Sequence, residues 1–189
     1  MLHSIVFTIY SCGFVARSAL EEDDSSDIRL EKIVRLIENC KFGIHDISKT
    51  EIDTGSGLPR FNMPFELGLF WGAKKFGDKM NKEKIALVFE REKYSYQKYL
   101  SDINGVDIKA HNNNPEFCIR SIRNWLFTNS KRKTIPAAAV IIKDYKDFTQ
   151  NKLSIMLKNS HAQVHDLTFN DYCAYVVAAL EAKQNNIKE

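Results

Sequence analysis

Two short apolar runs separated by a helical segment constrain the fold of this chain more than any other feature. Residues 42–47 (FGIHDI) and 85–89 (IALVF) are short and bounded by polar residues, which is typical of buried strands. Between them, residues 60–77 (RFNMPFELGLFWGAKKFG) are apolar or small over most of their length, which favours a helix. The order strand, helix, strand predicts two parallel strands joined by a right-handed crossover.

The flanking segments extend this alternation. Residues 4–10 (SIVFTIY) form a β-branched and aromatic run that predicts a first, central strand, whereas residues 106–110 (VDIKA) alternate as an edge strand does. Residues 30–37 repeat apolar side chains with a helical period, and Pro115 after Asn114 marks the start of another helix. We therefore predict an α/β protein: a flavodoxin-like three-layer fold with a mostly parallel central sheet.

The last third of the chain has a helical pattern. A short basic run (SKRK, residues 130–133) leads into it, and Thr168 with Asp171 forms a capping-box pattern before a final apolar stripe. We expect an α/β domain over residues 1–129 and a C-terminal helical appendage over residues 130–189, packed on it.

Charge composition leaves the partner of this chain open. The 27 basic and 24 acidic side chains leave a net charge of only +3, which does not favour nucleic acid or a membrane surface as partner. The four cysteines form no C-x-x-C pair, so we expect no metal site and a reducing, cytoplasmic setting. The first residues lack the pattern of an export signal, and no run of about 18 apolar residues occurs. We therefore expect neither export nor a membrane-spanning segment.

Glu66 is the one polar side chain among residues 64–73 (PFELGLFWGA). An unpaired buried carboxylate costs several kcal/mol or has its pKa raised. In one interpretation Glu66 lies in the first turn after Pro64, where the helix dipole favours an anion by about 0.3–1 kcal/mol. In the other it lines a ligand cleft, because helix N-termini lie beside the carboxyl ends of parallel strands.

Neighbouring residues keep the second interpretation open. Asn62 precedes Glu66 by four residues and is a candidate ligand contact. Gly68 and Gly72 stand inside the predicted helix, where glycine costs about 1 kcal/mol relative to alanine. We interpret these glycines as a sign of close packing or of close approach by a ligand.

The sequence from HDIS through RFNMPFELGLFWGAKKFG to IALVF resembles the nucleoside 2-deoxyribosyltransferase-like family, whose members have a D-[LI]-[ST] strand end and an N-x-x-[FY]-E-[LI]-G helix start. Their fold is related to the Toll/interleukin-1 receptor (TIR) domains that cleave NAD. The resemblance covers about residues 42–89 and, more loosely, the predicted first strand at residues 4–10. It implies that Glu66 acts on the ribose beside an N-glycosidic bond, either as nucleophile or by holding sugar hydroxyls.

The implied function is that of a nucleotide N-glycosidase, with NAD as the favoured substrate and no cofactor. The resemblance also implies a role in bacterial antiviral defence, acting as a homo-oligomer or with a partner effector or sensor protein. A non-catalytic nucleotide sensor or interaction module is the alternative, and a scaffold without a ligand is a third. A carboxylate beneath the anomeric carbon suits the chemistry, because the cleaved sugar becomes oxocarbenium-like.

Asp46 and Ser48 are candidates for the other side of the cleft. Asp46 ends its strand, so we expect it to orient a sugar hydroxyl or to assist proton transfer; a turn-capping role is the alternative. Ser48 is expected either to contact sugar or phosphate or to cap its own loop.

The loop after residues 4–10 contains three further candidates. If a strand precedes it, this loop (SCGFVARSALE) lies where ribose or phosphate binds in nucleotide-binding α/β domains. Gly13 either approaches the ligand or turns the chain, and Phe14 lines the site or packs in the core. Arg17 either pairs with a phosphate or is a solvated helix residue.

Other reactive residues support no site. His161 and His165 have metal-ligand spacing but no third ligand, and Cys12 has no identifiable base, so we expect exposed histidines and a buried structural thiol. His45 is expected to point away from Asp46, on the opposite face of the sheet.

Overall fold

The computed structural model describes residues 1–50, 55 and 57–188, with side chains to residue 185. The predicted loop over residues 48–59 therefore lies partly outside the described residues. The strands are β1 (Phe42–Asp46), β2 (Ile85–Glu90) and β3 (Lys109–Ala110). The α-helices are α1 (Leu2–Ser11), α2 (Arg29–Asn39), α3 (Asn62–Phe76), α4 (Pro115–Asn129), α5 (Ala138–Asp147), α6 (Leu153–Asn159) and α7 (Phe169–Lys188).

The chain forms two compact units. Residues 24–114 make one unit, which contains the sheet, α2 and α3. Residues 1–23 and 115–189 together make the other, in which α1 packs against α4, α5 and α7. These boundaries differ from the predicted ones, because the first residues of the chain belong with its last helices.

The sheet has the order β1–β2–β3, and both neighbouring pairs are parallel. Asp46 pairs in register with Phe89, and Glu90 with Ala110. The predicted α/β class and parallel sheet are confirmed. Residues 106–110 were predicted as an edge strand, and β3 does lie at the edge, but it is only two residues long.

Helix α3 packs on one face of the sheet. Leu67 is buried with Ile47, Val88 and Tyr96 in a single apolar cluster. Phe70 is buried one turn later beside Gly43 of β1, where an added Cβ would lie 2.8 Å from a carbon of the Phe70 ring. The glycine is thus needed for α3 to approach the strand.

The prediction of a strand at residues 4–10 is wrong, because this segment lies within helix α1. Its polar side chains are satisfied inside the helix: the Ser4 hydroxyl donates to the Met1 carbonyl at 2.8 Å, and the Thr8 hydroxyl to the Ser4 carbonyl at 2.6 Å. Both residues are therefore buried without cost alongside Phe7. A short apolar run has no period that separates strand from helix, and packing against three other helices decided the outcome.

The last third of the chain is helical, as predicted. A π-helical turn (Phe148–Lys152) joins α5 to α6. At the start of α7 the Thr168 N–H donates to Asp171 Oδ2 and the Asp171 N–H to Thr168 Oγ1, both at 3.1 Å, which confirms the capping box. Among the helices of the described part of the chain, none is long and apolar enough to cross a membrane.

His45 points from β1 toward α3, on the sheet face opposite Asp46 as predicted, and its ring centroid lies 5.3 Å from that of Phe70. Its two ring nitrogens are buried, and neither has a hydrogen-bond partner among the described residues. Burial lowers the pKa of His45 from 6.5 to about 4. The imidazole is therefore neutral and acts as an apolar ring at neutral pH.

His45 should make the stability of its unit depend on pH. Between the unfolded pKa of 6.5 and the folded pKa of about 4, the unfolded chain binds more protons. The free energy of unfolding should therefore decrease as the pH falls through this window, by up to about 3 kcal/mol. Urea unfolding of wild type and His45→Leu at about pH 7 and about pH 4.5 measures this contribution. His165→Leu, at an exposed histidine, is the control, and an unchanged pH dependence in His45→Leu would contradict the assignment.

Candidate functional site

Polar side chains stand at the carboxyl end of every strand in the sheet. Asp46 is the last residue of β1, Glu90 is the last residue of β2, and His111 directly follows β3. Because the strands are parallel, all three lie at the same edge of the sheet. Ligands of open α/β sheets bind at this edge.

Asp46, Ser48 and His111 form a connected cluster at this edge. The Ser48 N–H donates to Asp46 Oδ1 at 3.1 Å, and the Ser48 hydroxyl donates to the same oxygen. His111 Nε2 lies 2.9 Å from the Ser48 hydroxyl oxygen and 3.5 Å from Asp46 Oδ1. The His111 side chain is buried, whereas about a quarter of the Asp46 side chain (24%) remains exposed. The cluster therefore leaves the Asp46 carboxylate partly exposed to solvent, while Ser48 and the buried His111 hold it in place.

The hydrogen bonds determine the tautomer of His111. The Asn113 N–H donates to His111 Nδ1 at 3.0 Å, so Nδ1 is an acceptor and Nε2 carries the proton. Nε2 then donates to Ser48, and Ser48 donates onward to Asp46. In a nucleophilic triad the serine proton goes to histidine instead. This arrangement therefore orients Asp46 and does not activate Ser48.

The turn after His111 is held in an unusual conformation. Asn112 and Asn113 both have positive φ, at 48° and 56°. Asparagine tolerates this region better than most residues, but two in succession are uncommon. The turn brings the Asn113 N–H back onto the imidazole and so fixes the ring that supports Ser48.

The sequence prediction missed His111. It directly follows the predicted edge strand at residues 106–110, but no sequence pattern linked this strand end to Asp46 or Ser48. The available signal was the HNNN turn immediately after VDIKA, since a polar residue there lies at the carboxyl edge of any parallel sheet.

Glu90 has a structural role at the same edge. Its buried carboxylate accepts the Tyr94 N–H at 2.9 Å, and the Ser95 hydroxyl and Tyr96 N–H at 3.2 Å each. These bonds hold the chain after β2, where Tyr94 has a positive φ of 67°. With three donors on its two oxygens, Glu90 is satisfied internally.

Glu66 has a different environment from the other carboxylates. Helix α3 begins at Asn62, two residues before the start that Pro64 predicted. Glu66 is therefore beyond the first turn and does not cap the helix. The side chain is half-buried, and no hydrogen bond or ion pair joins it to any residue that the structure describes. Burial raises the pKa of Glu66, and the positive charge of Arg29 on α2 opposes this shift. An unsatisfied, partly desolvated carboxylate is typical of functional sites.

Glu66 and Asp46 are not in direct contact. Successive side chains of a strand point to opposite faces, and α3 covers the face of β1 that carries His45. Asp46 points to the other face, where His111 lies 6.3 Å from Phe89, measured between ring centroids. No hydrogen bond links the two carboxylates in the described part of the chain. Asp46 and Glu66 therefore lie on different faces of the sheet.

The structure places the remaining predicted residues as follows. Asn62 is the exposed first residue of α3. Gly13, Phe14 and Arg17 follow a helix instead of a strand and belong to the other unit, so the strand-end argument does not apply to them. Gly13 turns the chain after α1 with φ 76°, and Arg17 pairs with Glu21. Their role in ligand binding stays a prediction.

The environment of Cys12 is consistent with the structural role predicted for this residue. Cys12 is buried, and burial raises the pKa of its thiol to about 11, which keeps it protonated and unreactive at neutral pH. Within residues 1–50, 55 and 57–188, no group of three or more His, Cys, Asp or Glu side chains is arranged to hold a metal ion.

Comparison of this chain with protein-family models, with curated proteins and with solved structures finds no match. The resemblance to the nucleoside 2-deoxyribosyltransferase-like family therefore rests on the residues quoted above and stays a prediction.

Proposed function

We propose that this protein is a nucleotide N-glycosidase that hydrolyses NAD, with Glu66 as the catalytic carboxylate. The observation that carries the proposal is the state of Glu66: half-buried, without a hydrogen-bond partner among the described residues, and with its pKa raised by burial. A carboxylate of this kind is poorly solvated and so interacts strongly with a nearby positive charge. The parallel sheet is compatible with a flavodoxin-like fold, and we include that fold in the proposal.

The chemistry favours NAD over an ordinary nucleoside. In NAD the ring nitrogen of nicotinamide is already cationic, so it accepts the electron pair of the breaking C1′–N bond and leaves neutral, without a proton donor. The leaving base of a nucleoside requires protonation. Because no second acid is joined to Glu66 in the part of the chain that the structure describes, the site fits the substrate that needs none. Glu66 stabilises the oxocarbenium-like sugar or bonds to C1′, and water then completes the hydrolysis.

Asp46 has a binding role in this proposal. Its partly exposed carboxylate, held by Ser48 and His111, accepts hydrogen bonds from sugar hydroxyls elsewhere on the dinucleotide. A dinucleotide that crosses the edge of the sheet can reach side chains on both faces, as ligands of open α/β sheets do.

A non-catalytic nucleotide sensor is the second candidate. It is favoured by the internal hydrogen bonds of Asp46, which use part of its capacity to accept bonds from a substrate. Such a protein would bind the nucleotide without breaking it and would transmit binding to a partner, as in a defence system that responds to a signal.

The direct test is to incubate the purified full chain with NAD and, separately, with nucleosides. We expect release of nicotinamide, measured by chromatography against a protein-free control. Nucleotide binding is measured in parallel by calorimetry. Binding of NAD without release of nicotinamide would contradict the hydrolase and support the sensor. Faster release of base from nucleosides than of nicotinamide from NAD would contradict the choice of substrate.

A further inference from the structure

Helix α3 is apolar on nearly all sides, but one of its faces is left exposed although the sheet and α2 pack against the others. Leu67 and Phe70 are buried against the sheet. On the opposite side Phe65 is 54% exposed and Phe76 is 86% exposed. A helix that is hydrophobic all round is normally buried, and contiguous exposed apolar surface usually marks an interaction site.

Gly68 and Gly72 lie between these two phenylalanines on the same stripe, since residues three to four apart share a helix face. Apart from its chain neighbours and the backbone of α3 itself, a Cβ added at either glycine would meet no described atom within 4 Å. Nothing within the described chain therefore requires a small residue at these positions. Each glycine nevertheless costs the helix about 1 kcal/mol relative to alanine.

Both glycines line an open groove of about 610 Å³, together with Trp71 and Phe76. Pairs of small residues four apart let the backbone of a second helix approach closely. A groove lined by small and aromatic residues can receive one face of an amphipathic helix. The approach of a helix from another molecule would therefore explain why glycine occupies both positions.

Three lysines complete the lining of the groove: Lys74, Lys75 and Lys82. No carboxylate of a described residue lines it. Their ammonium groups make no hydrogen bond or ion pair with any residue in the part of the chain that the structure describes. The groove therefore offers unpaired positive charge around an apolar floor, which complements an acidic partner.

We propose that the α3 groove, defined by Gly68, Trp71, Gly72, Phe76 and the three lysines, docks an acidic amphipathic helix of another protein. A second copy of this chain pairing α3 on α3 would bring six lysines together, which is repulsive. A bilayer is flat at this scale and does not need helix glycines that admit a backbone. The proposal does not depend on the proposed hydrolase activity.

The test uses a synthetic helical peptide of about 18 residues, with an Ala/Leu stripe at helical spacing and Glu on both flanks. The matched peptide has Lys in place of every Glu. Calorimetry with the full chain is expected to show binding of the acidic peptide and at least about tenfold weaker binding of the basic one. No binding of the acidic peptide, or equal binding of both, would overturn the proposal.

Gly68→Leu locates the site. The leucine side chain fills the groove, so this substitution is expected to weaken peptide binding at least about tenfold. The control Glu38→Leu, at an exposed position of α2, is expected to leave peptide binding unchanged. Because the space beside Gly68 is open, the thermal midpoint should stay at or above that of wild type, which separates lost docking from lost folding. Peptide binding that survives Gly68→Leu would overturn the site.

Two further measurements address the other occupants. A concentration-dependent dimer in analytical ultracentrifugation that Gly68→Leu abolishes would assign the face to a second copy and overturn the proposal. Binding to vesicles containing phosphatidylserine, together with no binding of the acidic peptide, would assign it to a membrane surface and overturn it equally.

Discussion

Glu66→Gln is expected to reduce the release of nicotinamide from NAD at least about 10³-fold, equivalent to about 4 kcal/mol of transition-state stabilisation. Glutamine keeps the volume and removes the charge that stabilises the cationic sugar. Folding should not suffer: burial raises the pKa of Glu66, so its ionised form is less favourable in the folded protein than in the unfolded chain. The free energy of unfolding should therefore be unchanged or higher in the variant.

The control is Glu92→Gln, which makes the same change at an exposed glutamate in the same unit and should leave the rate unchanged. The pH profile gives an independent check. The rate should fall about tenfold per pH unit below the pKa of Glu66, and this limb should lie at higher pH than for an ordinary glutamate. Arg29→Gln removes the charge that lowers this pKa and should move the limb further up. An unchanged rate in Glu66→Gln would refute the assignment of this residue.

The substitution Glu90→Leu is expected to destabilise residues 24–114 by about 3–5 kcal/mol. The Tyr94 and Tyr96 N–H groups would lose their acceptor, and the Tyr94 backbone would lose the bond that holds its positive φ. A loss of this size is a large fraction of the 5–15 kcal/mol typical of a domain. Glu92→Leu, two residues away and exposed, should change stability by about 0.5 kcal/mol or less.

Tryptophan fluorescence can assign this loss to one unit. Trp71 is in the unit of residues 24–114, and Trp125 is in the other unit. In a Trp125→Phe background, urea unfolding followed by fluorescence reports on the unit that contains Glu90. A midpoint for Glu90→Leu equal to that for Glu92→Leu would contradict the structural role assigned to Glu90.

The sequence was a good guide where a local pattern had a single physical solution. The strands at β1 and β2, the helix between them and the capping box at Thr168 were all predicted, because period, length and capping chemistry agreed. It was a poor guide for α1, where the apolar run fits either a strand or a helix and contacts distant in sequence decided between them.

The candidate site was predictable only in part. Asp46 and Ser48 were identified because a strand end is visible in the sequence. His111 was not, because its link to Ser48 spans 63 residues and depends on the register of three strands. For Glu66 the sequence left two interpretations open, a capping role in the first turn and a position in a ligand cleft. The start of α3 at Asn62 excludes the capping role.

The division of the chain has a consequence for synthesis. The helical unit consists of the first 23 residues and those from 115 onward, so the sheet-bearing unit is an insertion within it. On the ribosome α1 emerges before the inserted unit, and its partners α4, α5 and α7 are made only after that unit is complete. Until then the helices that pack against α1 in the described structure are missing, so the inserted unit can fold before the unit that encloses it in sequence.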